Sequence, residues 1–403
     1  MNNSRPYAGL RVVDFSTTLA GPHCTRLLAD LGATVIKIEA PEGEMMRCRL
    51  PLRDGHSALF GQLNAGKLSV ALNLKTPEGR DAAIKLARGA DILVENFRPG
   101  VMDKLGLGHA VLCADNPALI YCSISGYGQT GPSASLAAYA PVIHAAAGYD
   151  LAHLAYQDGR HRPDYCGIYV ADVLAGTYAF GAIGVALHMR HATGQGRHID
   201  VSMLESTLSL MPSELQSAQF ETETAMPSRP LFGPIETADG YVMLAVGSEK
   251  SFRAMAEAMR RPDVIDDPRF ARYAERRVNW AAYMDIVEQW SHGLSSDDCM
   301  AALDRHGLPA SRYRTVAQAL DDPQLAHRDA LTTVHDGGGS FKALNPPFRI
   351  HGVDSSAGDR VPGLGEHAAR VLAEAGLTTE QIAVLSTAEH PVQTMQAAAE
   401  VAS

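Results

Sequence analysis

The first 39 residues carry a strand–helix–strand pattern that restricts the possible folds more than any other stretch of the chain. Residues Leu10–Phe15 (LRVVDF) form an apolar run typical of a buried strand, and a turn at Ala20–Pro22 leads into a helix predicted from Cys24 to Leu31. A second strand is predicted over Thr34–Glu39 (TVIKIE). Two strands joined by a helical connection of this length pair in parallel. We therefore expect a parallel sheet.

The same alternation continues through residue 125. Strands are predicted over Leu68–Leu72, Asp91–Val94 and Leu119–Ser125, and a helix begins where Thr76 caps a first turn that contains Pro77. This pattern indicates an α/β fold with an open parallel Rossmann-like sheet that has helices on both faces. Ligands of such sheets bind beyond the carboxyl ends of the strands. No GxGxxG turn follows the first strand, which argues against NAD.

The texture of the chain changes after about residue 205, and a length of 403 residues favours two domains. We assign residues 1–210 and 328–403 to a large domain and residues 211–232 to a linker. Residues 233–327 are assigned to a smaller α+β domain, which begins with a predicted hairpin whose turn is Asp239-Gly240.

Composition narrows the functional classes. The formal net charge of −10 argues against a broad nucleic-acid interface, although a few local cations can still hold a small anion. The apolar stretch from Ala171 to Met189 is broken by Asp172 and three glycines, so it is interpreted as a buried helix and not as a membrane span. The six cysteines are widely spaced without a CxxC motif, which favours a cytoplasmic protein over a zinc or disulfide framework.

Asp172 lies just ahead of a helix rich in small residues, and two interpretations are open. An aspartate at a helix start is commonly an N-cap that satisfies unpaired amides. It can equally be a carboxylate nucleophile, since the positive end of a helix favours its ionised form. Both roles are compatible in one residue.

Other polar residues allow a binding role or a plain structural one. The stretch Val94–Gly100 (VENFRPG) ends a strand, where its side chains either contact a ligand or form a solvated turn. Lys75 can hold a phosphate, and the cluster of Arg47, Arg49 and Arg53 can hold phosphates or a carboxylate; both can also be solvated. His144 lies in an apolar run, which favours a packed core histidine.

A series of short motifs follows in order along nearly the whole chain. They are AGP at 20–22, LGATVIKIE at 31–39, LNLKTPEGR at 72–80, VENFRPG at 94–100, ISGYGQTGP at 124–132, ADVLAGTYA at 171–179, TGQGRHIDVSM at 193–203 and LGEH at 364–367. In this order they resemble the class III CoA-transferase (CaiB/BaiF) family, which includes formyl-CoA transferase, carnitine CoA-transferases and α-methylacyl-CoA racemase.

The resemblance implies roles for individual residues. Asp172 matches the nucleophilic aspartate of the family, and Tyr139 matches a tyrosine that lines the active site. The positions that contact coenzyme A in the family fall on Thr18, Ala20, Leu72, Lys75, Asn96, Phe97 and Lys104. The resemblance also implies an interlocked homodimer, with coenzyme A as the carried group and with neither a metal nor a redox cofactor.

We therefore expect an acyl-CoA:carboxylate CoA-transferase that works through an aspartyl-CoA thioester. Bidentate pairing by Arg47 and Arg49 would fix the far carboxylate of a substrate, which favours succinyl-CoA as donor and a small dicarboxylic acid as acceptor. One alternative is a 2-methylacyl-CoA racemase or another CoA-ester isomerase, although Tyr139 stands where the racemase has a catalytic histidine. The alternative from another class is a non-catalytic acyl-CoA binding protein.

Overall fold

A computed structural model describes residues 5–157, 160–220 and 232–387 of the chain. The chain divides into two compact units: unit 1 contains residues 1–154, 160–212 and 326–403, and unit 2 contains residues 155–159 and 213–325. Of the predicted linker, Pro212–Phe220 forms a helix and residues 221–231 lie outside the described residues.

Unit 1 is built around a six-stranded sheet with the strand order β5-β2-β1-β6-β7-β8. Its strands are β1 (Arg11–Asp14), β2 (Thr34–Glu39), β5 (Leu68–Ala71), β6 (Ile92–Glu95), β7 (Ile120–Ser125) and β8 (His198–Ser202). Every neighbouring pair is parallel. The α/β class and the parallel sheet expected from the alternating pattern are confirmed.

Helices and two small antiparallel sheets complete unit 1. The helices are α1 (Ala20–Asp30), α2 (Ala58–Asn64), α3 (Pro77–Arg88), α4 (Val101–Lys104), α5 (His109–Asp115), α6 (Ala140–Ala146), α7 (Tyr149–Leu154), α8 (Val170–Thr193), α9 (Met203–Leu208), α18 (Ala368–Glu374) and α19 (Thr379–Thr387). Helix α10 (Pro212–Phe220) follows α9 and belongs to unit 2 from residue 213 on. The small sheets pair β3 (Leu52–Arg53) with β4 (His56–Ser57) and β12 (Leu331–Asp336) with β13 (Gly339–Leu344).

The sheet is buried on both faces because successive side chains of a strand point to opposite sides. Val12 of β1 and Cys122 of β7 pack on the face that α1 and α8 cover. Val13, the residue after Val12, and Tyr121, the residue before Cys122, pack on the opposite face with α3 and α18. Because all six strands are parallel, their carboxyl ends lie at the same edge of this buried sheet.

Unit 2 has its own core. Its strands β9 (Phe232–Thr237), β10 (Gly240–Ala245) and β11 (Ala310–Arg312) form an antiparallel sheet in the order β11-β10-β9. Its helices are α11 (Glu249–Ala258), α12 (Asp263–Asp266), α13 (Tyr273–Val278), α14 (Trp280–Ser291), α15 (Ser296–Arg305), α16 (Val316–Leu320) and α17 (Pro323–His327). Phe252, Tyr283 and Leu303 are among its fully buried apolar residues.

Two local predictions are wrong in detail. Helix α1 begins at Ala20, four residues before the predicted start. The hairpin turn is Ala238-Asp239, because Gly240 already pairs with Thr237 in the strand register. The carboxylate of Asp239 accepts hydrogen bonds from the backbone and side chain of Ser296, both at 2.7 Å, and this distant contact fixes the turn.

Among the described residues, α8 is the helix that is long and apolar enough to cross a membrane by length and composition. In unit 1 it packs against α1, β7 and β8. Its buried apolar residues are Ala171, Ala175, Ala179, Ile183 and Ala186. One face of α8 is therefore buried in unit 1, whereas Tyr178 and Val185 are exposed, so the expectation of a buried helix holds for one face only.

Candidate active site

A cavity of about 170 Å³ lies at the carboxyl ends of β1, β6 and β7. Since β2 and β6 flank β1 on opposite sides, the cavity is at the point where the strand order reverses, which is where open parallel sheets bind ligands. The lining residues are Thr17, Thr18, Ala20, Asn96, Phe97, Arg98, Pro99, Ile124, Ser125, Gly126, Ala134, Leu136, Ala137, Ala138, Tyr139, Asp172 and Met203.

Asp172 enters this cavity from the first turn of α8. The helix begins at Val170 with Tyr169 as its N-cap residue, so Asp172 is the third helical residue and the N-cap interpretation is wrong. The helix begins three residues earlier than an N-cap at Asp172 would require, because a side chain from another helix, His144, accepts a hydrogen bond from the first turn. Asp172 is therefore free to present its carboxylate to the cavity.

Burial dominates the electrostatics of this carboxylate. Only 9% of Asp172 is exposed. Burial raises the pKa of its carboxyl from 3.8 to about 6, while the backbone amides of Ala20 and of Asp172 itself act in the opposite direction. The ionised form still predominates at neutral pH, and it is less stabilised than that of a solvated aspartate. A carboxylate in this state is suited to nucleophilic chemistry.

A close approach of two helices brings Asp172 to Ala20. A Cβ atom at Gly176, one turn after Asp172, would lie 2.4 Å from the carbonyl oxygen of Ala20. Only glycine fits at that distance, so α8 crosses directly over the start of α1. The Ala20 amide, at the beginning of α1, is thereby available to the Asp172 carboxylate.

The loop between β1 and α1 is held in an unusual conformation. Thr18 has φ +67°, a left-handed value that is uncommon outside glycine. Its amide donates to Glu44 Oε2 at 2.8 Å, and Glu44 pairs with the buried Lys37 at 2.9 Å. The side chain of Asn96 holds Thr17, the residue before Thr18. It accepts a hydrogen bond from the Thr17 amide and donates one to the Thr17 carbonyl, both at 2.8 Å. The cavity wall is therefore fixed from two sides.

A buried ion pair lies beneath the same loop. Lys67 Nζ donates to Asp14 Oδ2 at 3.0 Å and to Asn64 Oδ1 at 2.9 Å, and neither charged side chain is exposed. Burial raises the pKa of Asp14, but Lys67, Lys37 and two hydroxyl donors outweigh it and bring the value to about 2. Asp14 stays ionised and accepts the Ser16 amide at 2.9 Å, which anchors the loop on β1.

The structure brings six of the predicted site residues together. Asp172, Tyr139, Thr18, Ala20, Asn96 and Phe97 all line the cavity. Leu72, Lys75, Lys104, Arg47 and Arg49 do not line it. Leu72 is 2% exposed and belongs to the core beneath the sheet, whereas Lys75 and Lys104 are exposed at the ends of β5 and α4.

The two arginines have different environments. Arg47 pairs with Glu39 through Nε at 2.7 Å and through Nη2 at 2.8 Å, and its guanidinium lies over the Phe60 ring. It lines a second cavity of about 260 Å³ together with Phe60 and residues 361–364. Arg49 is exposed. The bidentate pair with Glu39 occupies the face of Arg47 that was expected to bind a substrate.

Several lining residues are not predicted from the sequence. Ser125 ends β7 with a buried hydroxyl that has no hydrogen-bond partner among the described residues, and Met203 begins α9. Arg98 is exposed at the rim, within the motif already noted after β6. Two signals could have found Ser125, since it lies at a strand's carboxyl end and within the ISGYGQTGP motif.

Comparison with known proteins gives the class. The profile of CoA-transferase family III matches residues 7–368. A succinyl-CoA–D-citramalate CoA-transferase from Chloroflexus aurantiacus is 34% identical over 94% of this chain and 97% of the relative. A succinate–glutarate CoA-transferase from Agrobacterium fabrum is 31% identical over 93% of this chain and 96% of the relative. The chain belongs to CoA-transferase family III, and it is an enzyme of the CoA-transferase type.

The fold agrees with this assignment. The crystal structure of a CaiB/BaiF family protein from Brucella suis matches the chain with a TM-score of 0.80 at 33% identity, covering 92% of this chain and 99% of that protein.

Proposed function

We propose that this enzyme transfers coenzyme A from succinyl-CoA to a small dicarboxylic acid, with Asp172 as the temporary acyl carrier. The observation that carries the proposal is a carboxylate, 9% exposed and with a raised pKa, in a cavity at the reversal point of the sheet. The relatives named for succinyl-CoA with D-citramalate and for succinate with glutarate support the choice of substrates.

The reaction proceeds by repeated exchange at an acyl carbon. An oxygen of Asp172 attacks the donor thioester, the C–S bond breaks, and a mixed anhydride and the CoA thiolate are formed. The thiolate attacks the aspartyl carbonyl and releases the donor acid, leaving an aspartyl-CoA thioester. The acceptor carboxylate attacks this thioester and displaces the thiolate. The thiolate then attacks the acceptor's acyl carbon and frees Asp172. The route uses neither a metal nor a redox cofactor.

Backbone amides at the cavity support the charged intermediates. Each tetrahedral intermediate places negative charge on an oxygen, and preorganised amide donors stabilise that charge. The Ala20 amide interacts with the carboxylate, and α8, 24 residues long, directs the positive end of its dipole toward Asp172. Burial of the carboxylate also limits hydrolysis of the anhydride and the thioester by water.

Coenzyme A is proposed to lie along the carboxyl edge of the sheet. Adjacent strands are about 4.8 Å apart, so the end of β5 is roughly 10 Å from the end of β1. An extended ligand that starts at Asp172 can therefore reach Lys75 on one side, or Lys104 beyond β6 on the other, whereas Leu72 is buried in the core. The ammonium groups of both exposed lysines can pair with phosphates. Of the two predicted arginines, Arg49 is the one left for a substrate carboxylate, since Arg47 holds Glu39.

A homodimer forms part of the proposal. Tyr178, Val185 and Met189 are spaced by seven and four residues, so they lie on one face of α8, and each is at least 40% exposed. An apolar face of this kind on the helix that carries Asp172 fits an interface with a second copy of the chain.

The decisive experiment is mass spectrometry of the enzyme after incubation with succinyl-CoA and hydroxylamine. The wild-type enzyme is expected to gain a hydroxamate at Asp172, because hydroxylamine cleaves the anhydride and the thioester. Asp172→Asn should give no adduct and no transfer. The exposed Asp115, paired with Arg88 at the end of α3 and absent from the cavity lining, provides a control, and Asp115→Asn should react like wild type.

The other possible outcomes of these assays point to a different function for the protein. Near-normal transfer by Asp172→Asn refutes the assignment. Exchange of the α-proton with deuterated water, without any acceptor acid, indicates a racemase or isomerase. Tight binding of acyl-CoA with no adduct indicates a binding protein. A panel of acceptor acids run in the same assay should favour C4–C5 dicarboxylates, and turnover with monocarboxylic acids alone contradicts the choice of substrate.

A further inference from the structure

The helix that carries Asp172 has no cap of its own. Tyr169 at the N-cap position of α8 makes no side-chain hydrogen bond to the first turn. Instead, the amide of Ala171 donates to Nε2 of His144 at 3.1 Å. His144 belongs to α6, 27 residues earlier, and is 1% exposed. A histidine from a neighbouring helix therefore does what an N-cap side chain normally does.

This contact fixes the protonation state of the ring. A nitrogen that accepts a hydrogen bond carries no proton, so the proton of a neutral His144 is on Nδ1. That nitrogen is buried and has no hydrogen-bond partner among the described residues. Burial lowers the pKa of His144, and Asp150 on α7 acts weakly in the opposite direction. His144 is consequently a neutral acceptor directed at the helix start.

The Ala171 amide would otherwise attract the nearest carboxylate. Asp172 is the third residue of α8, and an acidic side chain at that position commonly reaches back to the start of its own helix. The Asp172 carboxylate already accepts its own amide while it lines the cavity. If it moved one residue further back, onto the Ala171 amide, it would turn away from the cavity and from the Ala20 amide. His144 removes this competition because it already satisfies the Ala171 amide.

We propose that His144 is a positioning residue: by occupying the Ala171 amide, it keeps the Asp172 carboxylate directed into the cavity. The inference deepens the proposed function and depends on it. The same contact connects two residues that line the cavity. Tyr139 is the N-cap residue of α6, the helix of His144, and the hydrogen bond from Ala171 to His144 joins α6 to the start of α8, which carries Asp172. The requirement is for an unprotonated acceptor at this place, and not for an imidazole as such.

Two substitutions separate these requirements. His144→Gln keeps an acceptor oxygen and should retain kcat within about threefold, whereas His144→Leu removes the acceptor. We expect His144→Leu to lower kcat by about 10- to 100-fold, the usual effect of a misplaced catalytic group, with little change in KM for succinyl-CoA. The acidic limb of its pH–rate profile should also shift, because the carboxylate exchanges the cavity and the Ala20 amide for the Ala171 amide and its pKa changes with that environment.

Control measurements keep the test independent of folding and of the proposed function. His351→Leu makes the same change at an exposed position and should leave all parameters unchanged. Thermal unfolding verifies that each variant is folded, and His144→Met replaces the leucine variant should that one fail to fold. Absence of an Asp172 adduct in wild type would overturn the proposed function itself. A wild-type adduct with unchanged kcat and pH profile in His144→Leu overturns only the role of His144, as does equal loss in the glutamine and leucine variants.

Discussion

The carboxylate of Asp172 lies in a cavity wall with 9% of the residue exposed, and burial raises its pKa from 3.8 to about 6. The unfolded chain therefore releases this proton at a lower pH than the folded protein does. Stability is lost as the pH rises from about 4 to about 6 and stays reduced above that range. A shift of this size corresponds to about 3 kcal/mol, so the nucleophile weakens the fold that holds it.

Asp172→Asn should accordingly increase the free energy of unfolding. We expect a gain of up to about 3 kcal/mol at pH 8 and roughly half of that at pH 5, where the folded carboxyl is mostly protonated. Urea denaturation at the two pH values measures the difference, and the exposed Asp115→Asn should show no such gain. Equal gains at pH 5 and pH 8 would attribute the effect to packing and not to charge.

At the scale of elements, the crossing of α8 over α1 decides where the nucleophile lies. Gly176→Ala places a Cβ atom 2.4 Å from the Ala20 carbonyl, so the helices must separate. We expect a loss of about 1–3 kcal/mol in the free energy of unfolding and a marked loss of transfer activity. A Cβ atom at Gly184 on the same helix would lie 3.5 Å from the Tyr7 hydroxyl, an ordinary contact, so Gly184→Ala should keep activity and gain up to about 1 kcal/mol.

Denaturant unfolding and turnover assays on the two alanine variants check this prediction. Equal effects of the two substitutions would show that helix propensity, and not the contact with Ala20, controls the site.

Elements that depend on local chemistry could be predicted from the sequence. Helix α3 begins at Pro77, and Thr76 Oγ1 accepts the Gly79 amide at 3.1 Å, as the Thr-Pro signal indicated. The start of α8 could not be predicted from the sequence, because the side chain that caps it, His144, lies on another helix. The same holds for Arg47: its partner Glu39 lies on β2, and no spacing pattern distinguishes an internal ion pair from a substrate contact. Most of the cavity residues that were predicted lie in recognisable motifs, whereas Leu136, which lies outside them, is brought to the cavity only by the fold.

At the scale of the whole molecule, a second copy is expected to cover the apolar face of α8. Sedimentation at micromolar concentration should give twice the 43.1 kDa mass of one chain. Val185 is 62% exposed on that face, and Val185→Arg should shift the enzyme toward monomer because an unpaired charge would be buried at the interface. Val111→Arg, at a valine 52% exposed on α5, should leave the mass unchanged. A monomeric wild type contradicts the expectation.

The cavity has one wall that differs from the others. Its floor is anchored by buried charges and strand ends, whereas the segment 134–139 is a loop with exposed Leu136, Ala137 and Tyr139. Changes in the floor would disturb coupled ion pairs, but changes at 136 and 137 alter only size and polarity. Substitutions in this loop can therefore change the acceptor acid without destabilising the cavity floor. We expect the sequences of relatives that use different acceptors to differ most in this loop.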